Sequence, residues 1–285
     1  MAHSFQAQLV GVLGKPVDEN PVGVVFEAAF RALDMNWRYL NIEVDPGDLA
    51  DAVRGVRAFH MKGAHITMPH KVHAVRYMDE IAEDATIMGA VNTIRTDENR
   101  RLIGENTDGK GFLQGLTQDG NTDPAGKRIV ILGAGGAARA IGVELSLAGA
   151  ERILIVNRTE ERGKALADLI DGKTPAACSF LRWESEFLLP EGTDVLVNAT
   201  PIGFLDESKP PIEYARIGKE TVVCDVVPNK RTTPFLEEAK KAGARATIDG
   251  LSMLVYLAGI NFRMWTNEEP PLSVMRGELQ KVFGI

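Results

Sequence analysis

The run Val130-Ile131-Leu132-Gly133-Ala134-Gly135-Gly136-Ala137-Ala138-Arg139-Ala140 narrows the fold of this chain more than any other stretch. Three β-forming residues lead into a glycine turn, and small residues then open a helix. A turn of this kind brings backbone close to a pyrophosphate and aims a helix N-terminus at its charge. Ile153-Leu154-Ile155-Val156 reads as a second buried strand. Asn157-Arg158-Thr159 then falls where a ribose-reading residue belongs, ~20 residues beyond the glycines. The plain alternative is a tight βα turn with no ligand, and a second strand at that distance argues against it. Gly133, Ala134, Gly135, Gly136 and Ala137 are therefore candidate cofactor-binding residues, together with Asn157, Arg158, Thr159 and Arg162.

The residues just past the second strand select the cofactor. A chain built for NAD usually ends that strand with Asp or Glu, which accepts from the ribose 2′-hydroxyl and repels a 2′-phosphate. Here the positions carry Asn157, Arg158 and Thr159, with Arg162 one turn on. Guanidinium suits phosphate geometry. These arginines could instead simply solvate a helix start, but cations are mildly unfavourable there, and Glu160 and Glu161 already supply an acidic first turn. NADP is the expected cofactor.

At 285 residues the chain has room for two domains with cores of their own. A net charge of −7 speaks against a nucleic-acid partner. No apolar run approaches the ~20 residues of a membrane span, and the stretch from Met1 to Gln6 lacks the segments of a signal peptide. Cys178 and Cys224 are too few for a disulfide framework, so a cytoplasmic location is expected. Neither has a nucleophile's company, and both read as small hydrophobes.

The pattern is α/β. Leu9-Val10-Gly11-Val12-Leu13 and the run from Tyr39 to Val44 read as strands, with a helix between them through Phe26, Ala29, Phe30 and Leu33. Leu49, Ala52, Val53 and Val56 share a second helical face. Ala64-His65-Ile66-Thr67 runs up to Pro69, which is expected to start a helix. Further strands are expected from Asp194 to Asn198 and from Thr221 to Asp225, and two helices from about Met253, with Pro270-Pro271 between them. Apolar strands alternating with helices indicate parallel sheets. The expected organisation is a Rossmann-type dinucleotide domain over 109–249, inserted in an α/β substrate domain over 1–108 that 250–285 completes.

Polar motifs recur where strands end, which is where open parallel sheets bind ligands. They are Thr67-Met68-Pro69-His70-Lys71, Gly89-Ala90-Val91-Asn92-Thr93, Gly104-Glu105-Asn106-Thr107-Asp108-Gly109 and Asn198-Ala199-Thr200-Pro201-Ile202-Gly203. Each has an ordinary explanation alone: a solvated lysine, a capped turn, a polar pair satisfying buried backbone. Their joint order changes that.

In that order the chain resembles the shikimate dehydrogenases. The family pattern runs Gly-x-Pro, Asn-Val-Thr-x-Pro-x-Lys, Gly-Ala-Val-Asn-Thr, Asn-Thr-Asp-Gly, Gly-Ala-Gly-Gly-Ala, Asn-Arg-Thr, Asn-x-Thr-Pro-x-Gly and finally Gly-x-x-Met-Leu-Val-x-Gln. This sequence follows it over nearly its full length. The resemblance implies a Rossmann domain between two parts of a substrate domain, and reversible hydride transfer between NADP(H) and a cyclic hydroxy or keto acid, as in shikimate and quinate metabolism or aromatic amino-acid biosynthesis. It implies Lys71 and Asp108 as the catalytic pair, Asn20, Thr67, Asn92 and His65 as substrate-binding residues, and Thr200 and Pro201 beside the cofactor. A homodimer is one assembly it admits. In reduction the forming alkoxide needs a proton and a nearby positive charge, and a protonated lysine supplies both. In oxidation the lysine must be neutral, so that direction is expected to speed up between about pH 7 and 10.

The departures are specific. The family's two serines, which hold the shikimate carboxylate, fall on Asn20 and Val22; Asn20 can donate and Val22 cannot. Asp18 and Glu19 stand beside the place of an anion. The family's Asn before Val-Thr is His65, its C-terminal Gln is Leu257, and its Tyr-Asn-Pro is Pro228-Asn229-Lys230. Hydrogen bonds to a charged group are worth ~1.5–3 kcal/mol each, so losing one or two costs about ten- to ten-thousand-fold in shikimate binding. Lys15 and His65 are the candidates to compensate. The expectation is retained chemistry on a changed, shikimate-like substrate, with quinate disfavoured by the loss of donors.

Two rival classes remain. His60, His65, His70 and His73 could invite zinc, but no spacing puts three ligands on one face, and no metal is expected. A non-catalytic NADP-binding sensor would have no need of Lys71 and Asp108. The segments around Gly109-Lys110-Gly111 and Asp249-Gly250 are candidate hinges.

Overall fold

The computed structural model describes residues 5–18 and 20–285. Residues 1–4 of the N-terminal stretch, and Glu19 of the acidic pair, lie outside the described residues. The chain forms two compact units, one from the residues up to Thr107 together with Leu257–Gly284, the other from Asp108–Tyr256.

The first unit holds β1 (Gln8–Gly14), α1 (Val22–Ala32), β2 (Trp37–Glu43), α2 (Leu49–Ala58), β3 (Gly63–Ile66), β4 (Glu80–Ile81), α3 (Glu83–Met88), β5 (Thr93–Thr96) and β6 (Leu102–Glu105). Its sheet runs β2-β1-β3-β5-β6-β4. β1 is parallel to β2 and β3, but β5 is antiparallel to both β3 and β6. The sheet is thus mixed, where parallel pairing was expected. The cause is the short turn from Asp97 to Arg101, closed by the Asp97 N–H to the Arg101 carbonyl (3.1 Å) and the Arg101 N–H to Asp97 Oδ1 (2.8 Å). So short a link makes a hairpin and leaves no room for a crossover.

Alternation along these strands gives the sheet two unlike faces. Leu13, Ala64, Ile66 and Ile94 turn to an apolar core with Leu49, Val53 and Val56 of α2. On the other face Tyr39 and His65 meet Phe26 of α1, which also contacts Phe262 and Trp265. Leu33, expected on the buried face of α1, is the helix's C-cap and is exposed.

Pro69 starts no helix. His70 is buried, its Nε2 lies 2.8 Å from the Val44 carbonyl oxygen, and its N–H closes a turn onto the Thr67 carbonyl (2.9 Å). This anchoring delays helical geometry to a short 3₁₀ segment, His73–Tyr77. Lys71 therefore stands in a turn.

The second unit holds α4 (Asp108–Gln118), β7 (Arg128–Leu132), α5 (Gly136–Leu147), β8 (Arg152–Asn157), α6 (Glu160–Lys173), β9 (Ala177–Arg182), β10 (Val195–Asn198), β11 (Val222–Asp225), α7 (Pro234–Lys241) and β12 (Ala246–Ile248). Its sheet is parallel throughout, in the order β12-β11-β10-β7-β8-β9. Two halves running outward from β7 and β10 place a topological switch point there, as in a Rossmann-type fold. The core includes Val130, Leu132, Val156, Leu196, Val223 and Phe235. The chain ends with α8 (Gly250–Thr266) and α9 (Leu272–Phe283).

The hinge glycines have a packing role. A Cβ on Gly109 would stand 2.4 Å from the Ala140 carbonyl oxygen of α5, and one on Gly250 2.4 Å from that of Val227. These positions admit only glycine because another backbone passes so close.

Candidate functional site

In the second unit the glycine turn sits at the carboxyl end of β7, the first strand of the switch point. Gly133 has φ +107°, and its N–H donates to the Val156 carbonyl (2.8 Å). A side chain there would be strained, and would meet the Ala199 carbonyl oxygen at 2.9 Å. Gly135 and Gly136 differ, since nothing lies within 4 Å of where their Cβ atoms would be. Open space beside a helix N-terminus of α5 is what a pyrophosphate needs.

At the end of β8, Asn157 donates from Nδ2 to the Thr159 carbonyl (2.8 Å), shaping the turn that carries Arg158. Arg158 and Lys209 line one cavity of about 440 Å³, with Trp183, Ile202 and Pro211 among its other walls. Glu184 and Glu186 line the same cavity, so its rim carries both signs of charge, and Lys209 Nζ is paired with Glu238 (2.9 Å). No acidic residue ends β8. Arg162 is exposed.

β10 ends in a closed polar chain. Asn198 is fully buried; its Nδ2 donates to Asp225 Oδ1 (2.9 Å), and its Oδ1 accepts from the Thr200 N–H (3.2 Å) and hydroxyl (2.6 Å). Asp225 Oδ2 accepts from the Thr233 hydroxyl (2.6 Å), and Oδ1 also accepts from the Val227 N–H (3.1 Å). Burial pushes the Asp225 carboxyl up to about 6, with these hydrogen bonds opposing it. The network fixes the Thr200-Pro201 turn next to the glycine turn. Both cysteines are inert by the same logic: burial pushes Cys178 up to about 12, and Cys224 further up.

In the first unit, backbone links gather the other motifs. The Val91 N–H donates to the Lys71 carbonyl (2.9 Å), and the Ile66 N–H to the Asn92 carbonyl (2.7 Å). Asn92 Oδ1 accepts from the Thr107 N–H (2.8 Å) and hydroxyl (3.2 Å), so the Asn92 amide N–H₂ is the end left to meet a ligand. Asp108 follows Thr107 directly. Thr67 Cγ2 lies only 2.2 Å from where a Gly14 Cβ would be, which seats the β1–α1 loop beside Thr67.

That loop carries Asn20. Its Oδ1 accepts from the Val22 N–H (3.0 Å) at the start of α1, and Asn41 Nδ2 holds the loop through the Val17 carbonyl (2.8 Å). Asn20 Oδ1 is thus turned to the helix start, and its amide N–H₂ is the end left to donate. Lys15 does not compensate for the missing serines: its Nζ is paired with Asp45 (2.6 Å) and Glu43 (3.6 Å), which raise its pKa. His65 does not either. Its Nδ1 is 2.7 Å from the Tyr39 hydroxyl and its Nε2 2.6 Å from Asn261 Nδ2. Both ring nitrogens are spent inside the unit, so the direct substrate contact expected of His65 has no nitrogen to make it.

Among the described residues no group of three or more His, Cys, Asp or Glu side chains could hold a metal ion. No helix among them is long and apolar enough to cross a membrane.

Residues 12–94 match the shikimate dehydrogenase substrate binding domain, and residues 116–201 match the shikimate / quinate 5-dehydrogenase family. The shikimate dehydrogenase (NADP(+)) of Desulforamulus reducens is 38% identical over 280 residues, covering 97% of this chain and 96% of that protein. The chain belongs to the shikimate dehydrogenase family. It is an NADP-dependent oxidoreductase of that type, acting on a CH–OH group of a small molecule. Solved structures agree on the fold. Shikimate 5-dehydrogenase from Thermus thermophilus, in complex with NADP(H) and shikimate, is 31% identical with a TM-score of 0.80, covering 96% of this chain and 99% of that one. The ligand-free form of 5-ketofructose reductase of Gluconobacter sp. strain CHM43 is 45% identical with a TM-score of 0.94, covering 98% of this chain and 100% of that one.

Proposed function

We propose that this family member reduces a neutral keto-sugar of the 5-ketofructose kind with NADPH, and uses shikimate poorly. The observation that carries this reading is the hydrogen bond from the Val22 N–H to Asn20 Oδ1 (3.0 Å). The resemblance places two carboxylate-binding serines at these positions. Here one position is apolar, and the first N–H of α1, that of Val22, is already taken by Asn20 Oδ1. The groups left for substrate, the amide N–H₂ groups of Asn20 and Asn92, are donating and uncharged. The identity to a 5-ketofructose reductase supports the same substrate class.

The cofactor is held by Gly133, Ala134, Gly135, Gly136 and Ala137 at its pyrophosphate. Asn157, Arg158, Thr159 and Arg162 take the 2′-phosphate end, and Thr200 and Pro201 the nicotinamide side. When bound, NADPH supplies hydride to the carbonyl carbon. Lys71 gives a proton to the developing alkoxide oxygen, and its charge stabilises that oxygen before transfer. Asp108 orients Lys71. Asn20, Asn92 and Thr67 hold neighbouring hydroxyls. A cytoplasmic location without nucleic-acid partners fits this reading, supported by the net charge of −7 and the two free cysteines, and a homodimer is one assembly the family resemblance admits.

NADPH absorbance with 5-ketofructose tests the proposal. Saturable consumption of NADPH, with little of NADH, is expected; no turnover of the keto-sugar alongside ready oxidation of shikimate by NADP⁺ refutes it.

A further inference from the structure

The cavity beside Arg158 carries carboxylates as well as cations, and only the cations have a part so far. Glu184, Ser185 and Glu186 wall one side of it. These three residues lie between two buried aromatic anchors, Trp183 and Phe187. The Trp183 N–H donates to the Asn157 carbonyl (3.0 Å), and the Phe187 N–H donates to the Pro211 carbonyl (2.9 Å). The Trp183 indole N–H reaches the same Pro211 oxygen at 3.3 Å. The acidic segment is therefore fastened at both ends, and its first anchor is joined directly to the turn that carries Arg158.

The charged groups of the cavity are not equivalent. Lys209 is paired with Glu238 and lies over the Tyr214 ring, 5.0 Å from its centroid. Glu184 is paired with Arg182 (3.4 Å). Arg158 and Glu186 have neither an ion pair nor a side-chain hydrogen bond among the described residues, with each other or with any neighbour. One free cation and one free anion thus share a space of about 440 Å³. A ligand in a space of that size lies within about 10 Å of each wall, close to the Debye length of ~8 Å at physiological salt, so neither charge is fully screened from it. A 2′-phosphate brings a charge of about −2, and a plain ribose brings none. Arg158 attracts that charge and Glu186 repels it. The two cofactors are otherwise the same, so both effects fall on the choice between them.

We propose that Glu186 is a further specificity-determining residue for the cofactor: its carboxylate opposes the 2′-phosphate that Arg158 attracts, so the preference for NADPH over NADH is the difference of two effects and smaller than Arg158 alone would set. This rests on the 2′-phosphate lying at Arg158 and is independent of which substrate is reduced.

The test is Glu186→Gln, which removes the charge and keeps the size. Glu186 is exposed, so the change leaves the core untouched. NADPH and NADH are titrated into the free enzyme and binding is followed by fluorescence, at about 0.01 M and about 1 M salt, where the Debye length is ~30 Å and ~3 Å. At low salt the Kd for NADPH is expected to fall about five-fold, the effect of one charge on two at ~8 Å in water. The Kd for NADH should move by less than about two-fold, and the gain for NADPH should shrink to less than about two-fold at high salt. An unchanged or weaker grip on NADPH at low salt overturns the proposal, as does a gain shared by NADH or one that salt does not reduce. Arg158→Ala in the same titration separates the two ideas. If it weakens NADPH alone while Glu186→Gln changes nothing, the 2′-phosphate is at Arg158 and the role of Glu186 falls. If neither variant alters the preference, the 2′-phosphate lies elsewhere and both fall.

Discussion

In the second unit, the polar groups beside the glycine turn face each other: Asn198, Thr200, Asp225 and Thr233 satisfy one another and hold the turn rigid, while open space is kept at Gly135 and Gly136. In the first unit, polar side chains at the corresponding place keep one end back for a ligand. Asn20 and Asn92 each commit an oxygen to backbone and leave an amide N–H₂. The nucleotide-binding half is built for a ligand that does not change, so its turn is fixed by groups that satisfy one another and by the glycine backbone. The substrate half reads its ligand with side chains, and side chains are where this chain leaves its family.

Lys71→Ala should separate the two halves most sharply. The kcat is expected to fall by ~10²–10⁴, as for loss of a general acid, while NADPH binding, followed by fluorescence titration, changes little. A matching loss of NADPH affinity would mean the halves do not work separately.

Asp225→Asn probes the closed network through pH. The folded carboxyl is pushed up to about 6, above its ordinary value. Between about pH 4 and 6 the folded protein thus holds a proton that the unfolded chain has lost, so this group's stabilisation is present at low pH and is lost as pH rises to about 6. The change is on the order of 3 kcal/mol for two pKa units. Melting curves across that window should show the slope in wild type and not in the variant; equal slopes would remove Asp225 from the account.

Arg158→Ala should raise the KM for NADPH by about ten- to a hundred-fold and leave NADH untouched. Equal effects on both cofactors would mean Arg158 lies over the adenine and does not read the 2′-phosphate. The smallest effect is expected from Val22→Ser, which returns one hydroxyl to the β1–α1 loop. Shikimate oxidation should improve by about ten-fold, with keto-sugar reduction unchanged. No gain on shikimate would show that the serine position is not what excludes the acid.

The nucleotide unit was largely legible in the sequence, because local signals determine it: apolar strands, a glycine turn at fixed spacing, and a residue after β8 that selects the cofactor. The substrate unit was legible in its motif order and less so in its geometry. Its mixed sheet follows from a hairpin between two four-residue strands, too short to show a period. Pro69 has the sequence signature of a helix start, and only the burial of His70 in the fold overrides it. Asn20 two residues before the Val22 N–H is a local signal that could have been read as a cap. The His65 network could not have been found, since Asn261 is 196 residues away in sequence and only the fold joins them.

The claim that ties these observations together is that the family's hydride chemistry has been kept and its grip on a carboxylate given up. The most direct measurement compares kcat/KM for 5-ketofructose and for 3-dehydroshikimate, with NADPH, on the same wild-type preparation. The account predicts a ratio of about a hundred or more in favour of the neutral keto-sugar, the size expected from losing one or two hydrogen bonds to a charged group. A ratio of one or less would contradict it, and would mean that the loop around Asn20 holds an anion by means other than the serines it lacks.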